Sequence, residues 1–144
     1  MTQVDFYITA ENAADARLKL ACTLCDEAMQ RDQHVFVNVT SEREARQLDE
    51  LLWTFIQGSF IPHRVVEQPL AEPPPEPVIV GLAQEPVGQR WDLLINLAAD
   101  VPEFFSRYSR VAELVDGDAA RREQSRERYR FYRDRGYPLS TREV

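Results

Sequence analysis

At 144 residues, the length favours one domain spanning 1–144. The mix of 44% hydrophobic and 28% charged residues is ordinary for a soluble globular chain. A net charge of −7 argues against a protein that coats nucleic acid through bulk electrostatics, and no apolar stretch approaches the roughly 20 residues needed to cross a bilayer.

The opening MTQVDFYITAEN lacks the basic start and long apolar run of a signal peptide, so a cytoplasmic protein is expected. Gln3 to Ile8 (QVDFYI) is short and rich in β-formers, which predicts a strand. Ala13 to Arg31 carries Leu18, Cys22, Cys25 and Met29 at helical spacing. His34 to Val39 (HVFVNV) follows as a second strand, and strand-helix-strand order normally makes a parallel βαβ unit. Ser41 and Glu44 fit a reciprocal capping box that opens a helix running to about Trp53. Phe55 to His63 reads as a loop with Gly58 and Pro62.

Gln68 to Pro77 (QPLAEPPPEP) is half proline, which rules out regular helix or an inner strand and predicts an extended surface connection. Val78 to Leu82 is a strand. Trp91 to Leu97 (WDLLINL) is a near-continuous apolar strand, expected to be buried on both faces. Pro102 to Tyr108 starts a short helix, and Val111 to Val115 is a further strand. The last helix spans about Ala119 to Arg135 and stops at Gly136. This alternation predicts a three-layer α/β domain with a Rossmann-like, mostly parallel sheet flanked by helices.

A βαβ start invites a nucleotide, but the loop after the first strand, TAENAAD, has no glycine to let the backbone approach a phosphate and carries Glu11 and Asp15. Cys22 and Cys25 form a C-x-x-C inside a helix rather than at its start, so they read as core residues, and in a cytosolic protein no structural disulfide is expected. With two histidines far from them in sequence, no four-ligand zinc site can be assembled. No G-x-S-x-G motif is present. No catalytic residue, cofactor or metal is expected.

Charge is unevenly placed. Residues 121–135 hold seven arginines against three acids and carry +4, leaving −11 on the remainder. On a helical wheel Arg122, Arg126, Tyr129 and Arg133 fall in a stripe about 60° wide, with Arg130 at its edge and Phe131 opposite, directed to the core. Guanidinium groups bind carboxylates bidentately, and a tyrosine adds an apolar ring with a polar tip. The stripe suits an acidic peptide ending in a hydrophobic residue and a free carboxylate. A solvated, internally paired helix and a phosphate-backbone contact remain alternatives.

Four segments carry a resemblance: DFYI; LDELLWTF followed by SFIPH; WDLLINL; and RERYRFYRDRGYPL from Arg126 to Leu139. In this order they resemble the chi subunit family of bacterial DNA polymerase III, with the middle, Glu67 to Gln89, departing most. The resemblance implies a fold similar to nucleotide-binding folds without the phosphate loop. It also implies an accessory replication subunit that joins the clamp loader through a psi subunit and holds the acidic C-terminal tail of single-stranded DNA-binding protein, meeting DNA only indirectly and no membrane. By position, the tail site is Arg122, Arg126, Tyr129, Arg130 and Arg133, and the psi surface includes Trp53 and Phe60. The alternatives are a small nucleotide-dependent enzyme of this fold, or a direct single-stranded DNA binder.

Overall fold

Val4 and Phe6 alternate with Asp5 and Tyr7, and in the computed structural model, which describes residues 1–55, 60–82, 86–88 and 90–144, they form the first strand, β1 (Gln3–Ile8). There follow α1 (Ala16–Gln30), β2 (Val35–Val39), α2 (Glu42–Thr54), β3 (His63–Val66), β4 (Val78–Leu82) and β5 (Leu93–Asn96). A 3₁₀ turn (Phe105–Arg107), β6 (Arg110–Val115), α3 (Ala119–Asp134) and β7 (Leu139–Glu143) complete the order. The seven described strands make one sheet in the order β3-β4-β2-β5-β6-β1-β7, and each pair is parallel.

The expected α/β architecture is therefore present. β1 and β2 are parallel, but β6 and β5 lie between them. On one face α1 and α2 cover Val35, Val37, Val39, Leu93, Ile95 and Leu114. On the other, Tyr132 of α3 and Phe105 of the 3₁₀ turn pack on Val4, Phe6, Phe36, Leu94 and Val111. β5 is buried on both faces, as a parallel inner strand requires. Cys22 and Cys25 are core residues, and burial pushes the Cys22 thiol up to about 12.

Several expectations change. Ser41 caps α2 by accepting from the Glu44 N–H at 3.3 Å, but the Glu44 carboxylate turns away to Arg17 at 2.9 Å, so the capping box is half formed. Pro102 to Tyr108 gives only the 3₁₀ turn, held by the Phe105 N–H to the Pro102 carbonyl at 3.1 Å. The edge strands β3 and β7 were not expected; His63, assigned to a loop, begins β3. Residues 67–77 form neither helix nor strand. The expected loop over 55–63 falls partly at 56–59, outside the described residues, as do 83–85 and 89 of the divergent middle.

α3 ends as foreseen at Gly136, whose φ of 79° lets the Tyr137 N–H reach the Tyr132 carbonyl (3.1 Å) and the Gly136 N–H reach that of Arg133 (3.0 Å). β2 continues through α2 toward β3, whereas β5 continues through the 3₁₀ turn toward β6. Neighbouring strands whose onward chains part in opposite directions define the switch point of the sheet.

Candidate functional site

α3 is set on the sheet from both ends. Asp118 caps it by accepting from the Arg121 N–H at 3.0 Å, and Arg121 grips the buried Asp116 carboxylate through Nε at 3.0 Å and Nη2 at 2.6 Å. Burial works to raise Asp116, but the Arg121 hydrogen bond, the Asp118 N–H and the Arg17 charge outweigh it and hold the carboxyl below its usual range. Further along, Glu113 of β6 is fully buried and accepts from Arg128 Nε at 2.9 Å, from the Tyr132 hydroxyl at 2.7 Å, and from Asn96 Nδ2 at 3.0 and 3.1 Å. Burial raises the Glu113 carboxyl above its ordinary value, against the downward pull of Arg128, Tyr132 and Asn96.

This arrangement sorts the seven arginines. Arg121 and Arg128 serve the interior. Arg122 is half-buried, its Nε donating to the Asp116 carbonyl at 3.0 Å. Arg135 lies 3.6 Å over the Phe131 ring. Arg126, Arg130 and Arg133 are exposed. Arg126 leans on Glu123 at 2.8 Å and Arg133 on Asp134 at 3.2 Å, both exposed pairs of small net worth. Arg130 has no ion pair among the described residues.

Beside them Tyr129 is half-buried, its ring edge-on to Phe6 at 5.3 Å and 62°. The stripe is thus a row about 16 Å long, at about 1.5 Å per residue from 122 to 133, running along the border between the buried and exposed faces of α3. One expectation needs correcting. Phe131 packs on the core only partly; the residues that α3 buries are Ser125, Arg128 and Tyr132, because Glu113 supplies polar partners for the last two.

A second surface lies on the other side of the sheet. Trp53, in the last turn of α2, and Phe60 are 52% and 55% exposed, with ring centroids 5.0 Å apart. At that exposure neither ring belongs to the core. His63 supports them: its side chain is fully buried, edge-on to Trp53 at 4.9 Å, and both ring nitrogens are engaged at 2.7 Å, Nδ1 with the Ile61 carbonyl and Nε2 with Asp49.

The loop after β1, where a nucleotide fold carries its phosphate-binding turn, packs against the segment that leads into α3. Gly117 enters the loop after β1, its N–H donating to the Glu11 carbonyl at 3.0 Å, so close that an added Cβ would meet the Ala10 carbonyl oxygen at 3.1 Å. No phosphate-binding loop is formed there. Among the described residues no group of three or more His, Cys, Asp or Glu is placed to hold a metal, and no helix is long and apolar enough to cross a membrane.

An all-parallel α/β sheet without a phosphate loop, bearing an arginine row on one helix and an exposed aromatic pair on the opposite face, defines a Rossmann-like α/β protein. Residues 1–140 match the profile of the family described as DNA polymerase III chi subunit, HolC. The chain is 42% identical over 139 residues to the DNA polymerase III subunit chi of Pseudomonas aeruginosa, covering 96% of this chain and 94% of that one. The corresponding protein of Haemophilus influenzae is 33% identical over 139 residues, covering 96% and 95%. That of Escherichia coli is 29% identical over 146 residues, covering 98% and 97%. The chain belongs to the chi subunit family of DNA polymerase III.

Proposed function

We propose that this chain is a non-catalytic adaptor of the replicative polymerase, acting in the cytoplasm as one unit over residues 1–144. In this reading α3 holds the acidic C-terminal tail of single-stranded DNA-binding protein, and the Trp53–Phe60 pair docks on a psi subunit that joins the clamp loader, so that the chain meets DNA only indirectly. The observation that carries the reading is the exposed row Arg126, Arg130 and Arg133 beside half-buried Tyr129, on a chain whose remainder carries −11. The arginines supply charge-assisted contacts to aspartates and to a terminal carboxylate. Tyr129, steadied by Phe6, supplies a ring for the tail's last hydrophobic side chain. Arg122 extends the row by one turn.

Titration calorimetry with a synthetic acidic tail peptide tests the reading. Saturable binding that weakens steeply from low to high salt is expected, because the contacts are ionic and exposed. Absence of binding at low salt overturns it. A scrambled peptide of the same charge binding equally well reduces it to nonspecific attraction and also overturns it.

A further inference from the structure

The polar residues on the α3 face of the sheet form a ladder across three neighbouring strands. Asn38 of β2 lies opposite Asn96 of β5, and Asn96 opposite Glu113 of β6. The order of donors along it is fixed by its far end. Glu113 offers its carboxylate oxygens to Asn96, so Asn96 turns its Nδ2 toward them and presents Oδ1 the other way. That Oδ1 accepts from Asn38 Nδ2 and from the Ala98 N–H, both at 3.1 Å. Asn38 is therefore left with its Oδ1 as the open end of the ladder. It is 7% exposed, and its Oδ1 has no partner among the described residues.

Asn38 forms part of the lining of a cleft of about 770 Å³ at the carboxyl ends of β2 and β5, the switch point of the sheet. Ligands of open α/β sheets bind at that position. The wall opposite is the segment 98–104, which the same network fixes in place. Arg128 Nη1 donates to the Ala99 carbonyl at 2.9 Å and Asn96 Nδ2 to that of Asp100 at 3.2 Å. Phe104, half-buried and edge-on to Phe36 at 5.7 Å, contributes an aromatic ring to the cleft. Asp100 and Glu103 are exposed on its lining, and neither has an ion pair among the described residues. The one cation among the described lining residues, Arg107, sits 5.6 Å over the Trp91 ring.

We propose that this cleft binds a compact organic cation, a guanidinium or primary ammonium group, with Asn38 Oδ1 accepting from it, Asp100 and Glu103 neutralising it and the Phe104 ring contacting it. An open amide oxygen on a largely buried asparagine, two carboxylates without an ion pair among the described residues, and an aromatic ring match the needs of such a group. The same set repels phosphate, which sets the site apart from a nucleotide pocket in this position. The cation is either a free small molecule or the side chain of an arginine or lysine on a partner protein; the chemistry is shared, and it is independent of the tail and psi surfaces.

Nuclear magnetic resonance titration of the full chain tests the site, with agmatine as the free cation, N-acetyl-arginine methylamide as the peptide-borne one and inorganic phosphate as the opposite charge. Saturable shifts of the Asn38 side-chain amide and the backbone amides of Ala98, Asp100 and Phe104 are expected with a cation. They should weaken at least tenfold in the Asp100→Asn, Glu103→Gln double variant, whose exposed positions leave the fold intact, and disappear in Asn38→Leu. Tighter binding of agmatine indicates a free ligand, and tighter binding of the blocked arginine a partner side chain; either supports the site. No saturable shift at these residues with either cation, undiminished binding in the double variant, or stronger binding of phosphate overturns it.

Discussion

Glu113 and Tyr132 meet at 2.7 Å in the interior between β6 and α3, and the second oxygen-bound partner there is the buried guanidinium of Arg128. The contact locks the helix that presents the arginine row to the sheet beneath it. Glu113→Ala leaves Arg128 buried without its carboxylate, which costs roughly 3–5 kcal/mol. Tyr132→Phe removes one donor to a charged acceptor and costs about 1–3 kcal/mol. Out of a total near 5–15 kcal/mol, the first loss is large. Urea unfolding of both variants checks this; two changes below about 0.5 kcal/mol, the usual size of a neutral surface substitution, are incompatible with a locking role.

Asp116 ties the start of α3 to the sheet, and its carboxyl is held below the ordinary aspartate value of 3.8. The folded chain therefore favours the ionised form, and as pH falls the unfolded chain takes up the proton first. The stabilisation is complete above about 3.8 and is lost as pH falls through the lower, folded-state value. Asp116→Asn should destabilise the chain at neutral pH by about 1–3 kcal/mol, the worth of hydrogen bonds to a charged group, and the two stability curves should converge below 3.8. Thermal unfolding from pH 7 down to acid checks this; a constant gap across the range contradicts it.

Much of the scaffold was legible because its signals are local. Continuous apolar runs mark β4 and β5, a capping serine marks the start of α2, and Gly136 marks the end of α3. β3 and β7 escaped because HRVV and LSTRE are edge strands, only partly buried and without an apolar run. The arginine stripe was legible as an angle on a wheel, but a wheel does not say which angle faces the sheet. Arg128 was counted as one basic residue among seven, and only its meeting with Glu113, 15 positions away, shows it to be structural. The ladder had no sequence signal at all, since Asn38 and Asn96 are 58 residues apart and sit in strands that otherwise read as apolar.

On the proposed tail surface, Arg126→Glu places a third carboxylate beside Glu123 and Glu127, and affinity for an acidic tail peptide should fall at least tenfold. Arg130→Ala should weaken binding with no change in stability, because Arg130 has no ion pair to lose among the described residues. The structure adds a test in the opposite direction. Glu123 competes for Arg126 at 2.8 Å, so Glu123→Gln should raise affinity, by no more than about twofold given the worth of a helical pair. Calorimetry at low salt reads all three, and an unchanged Arg126→Glu sinks the assignment.

The proposed psi surface makes a separable prediction, because Trp53 and Phe60 belong to the α2 end of the sheet and the arginine row to α3. Trp53 is 52% exposed, so Trp53→Ala should lower stability by less than about 1 kcal/mol. An exposed aromatic pair on a buried, doubly anchored histidine has the character of an interface anchor, and truncating such anchors often costs 2 kcal/mol or more of binding. Trp53→Ala should therefore abolish co-purification with a psi subunit while tail-peptide binding stays intact. Phe60→Ala should act in the same direction, since the two rings touch at 5.0 Å and form one patch. The converse holds for Arg130→Ala, which should keep psi and weaken the tail. Loss of both partners in Trp53→Ala, with a cooperative unfolding transition still present near its wild-type midpoint, would show that the two surfaces are coupled rather than independent and would remove the basis for an adaptor that holds both partners at once.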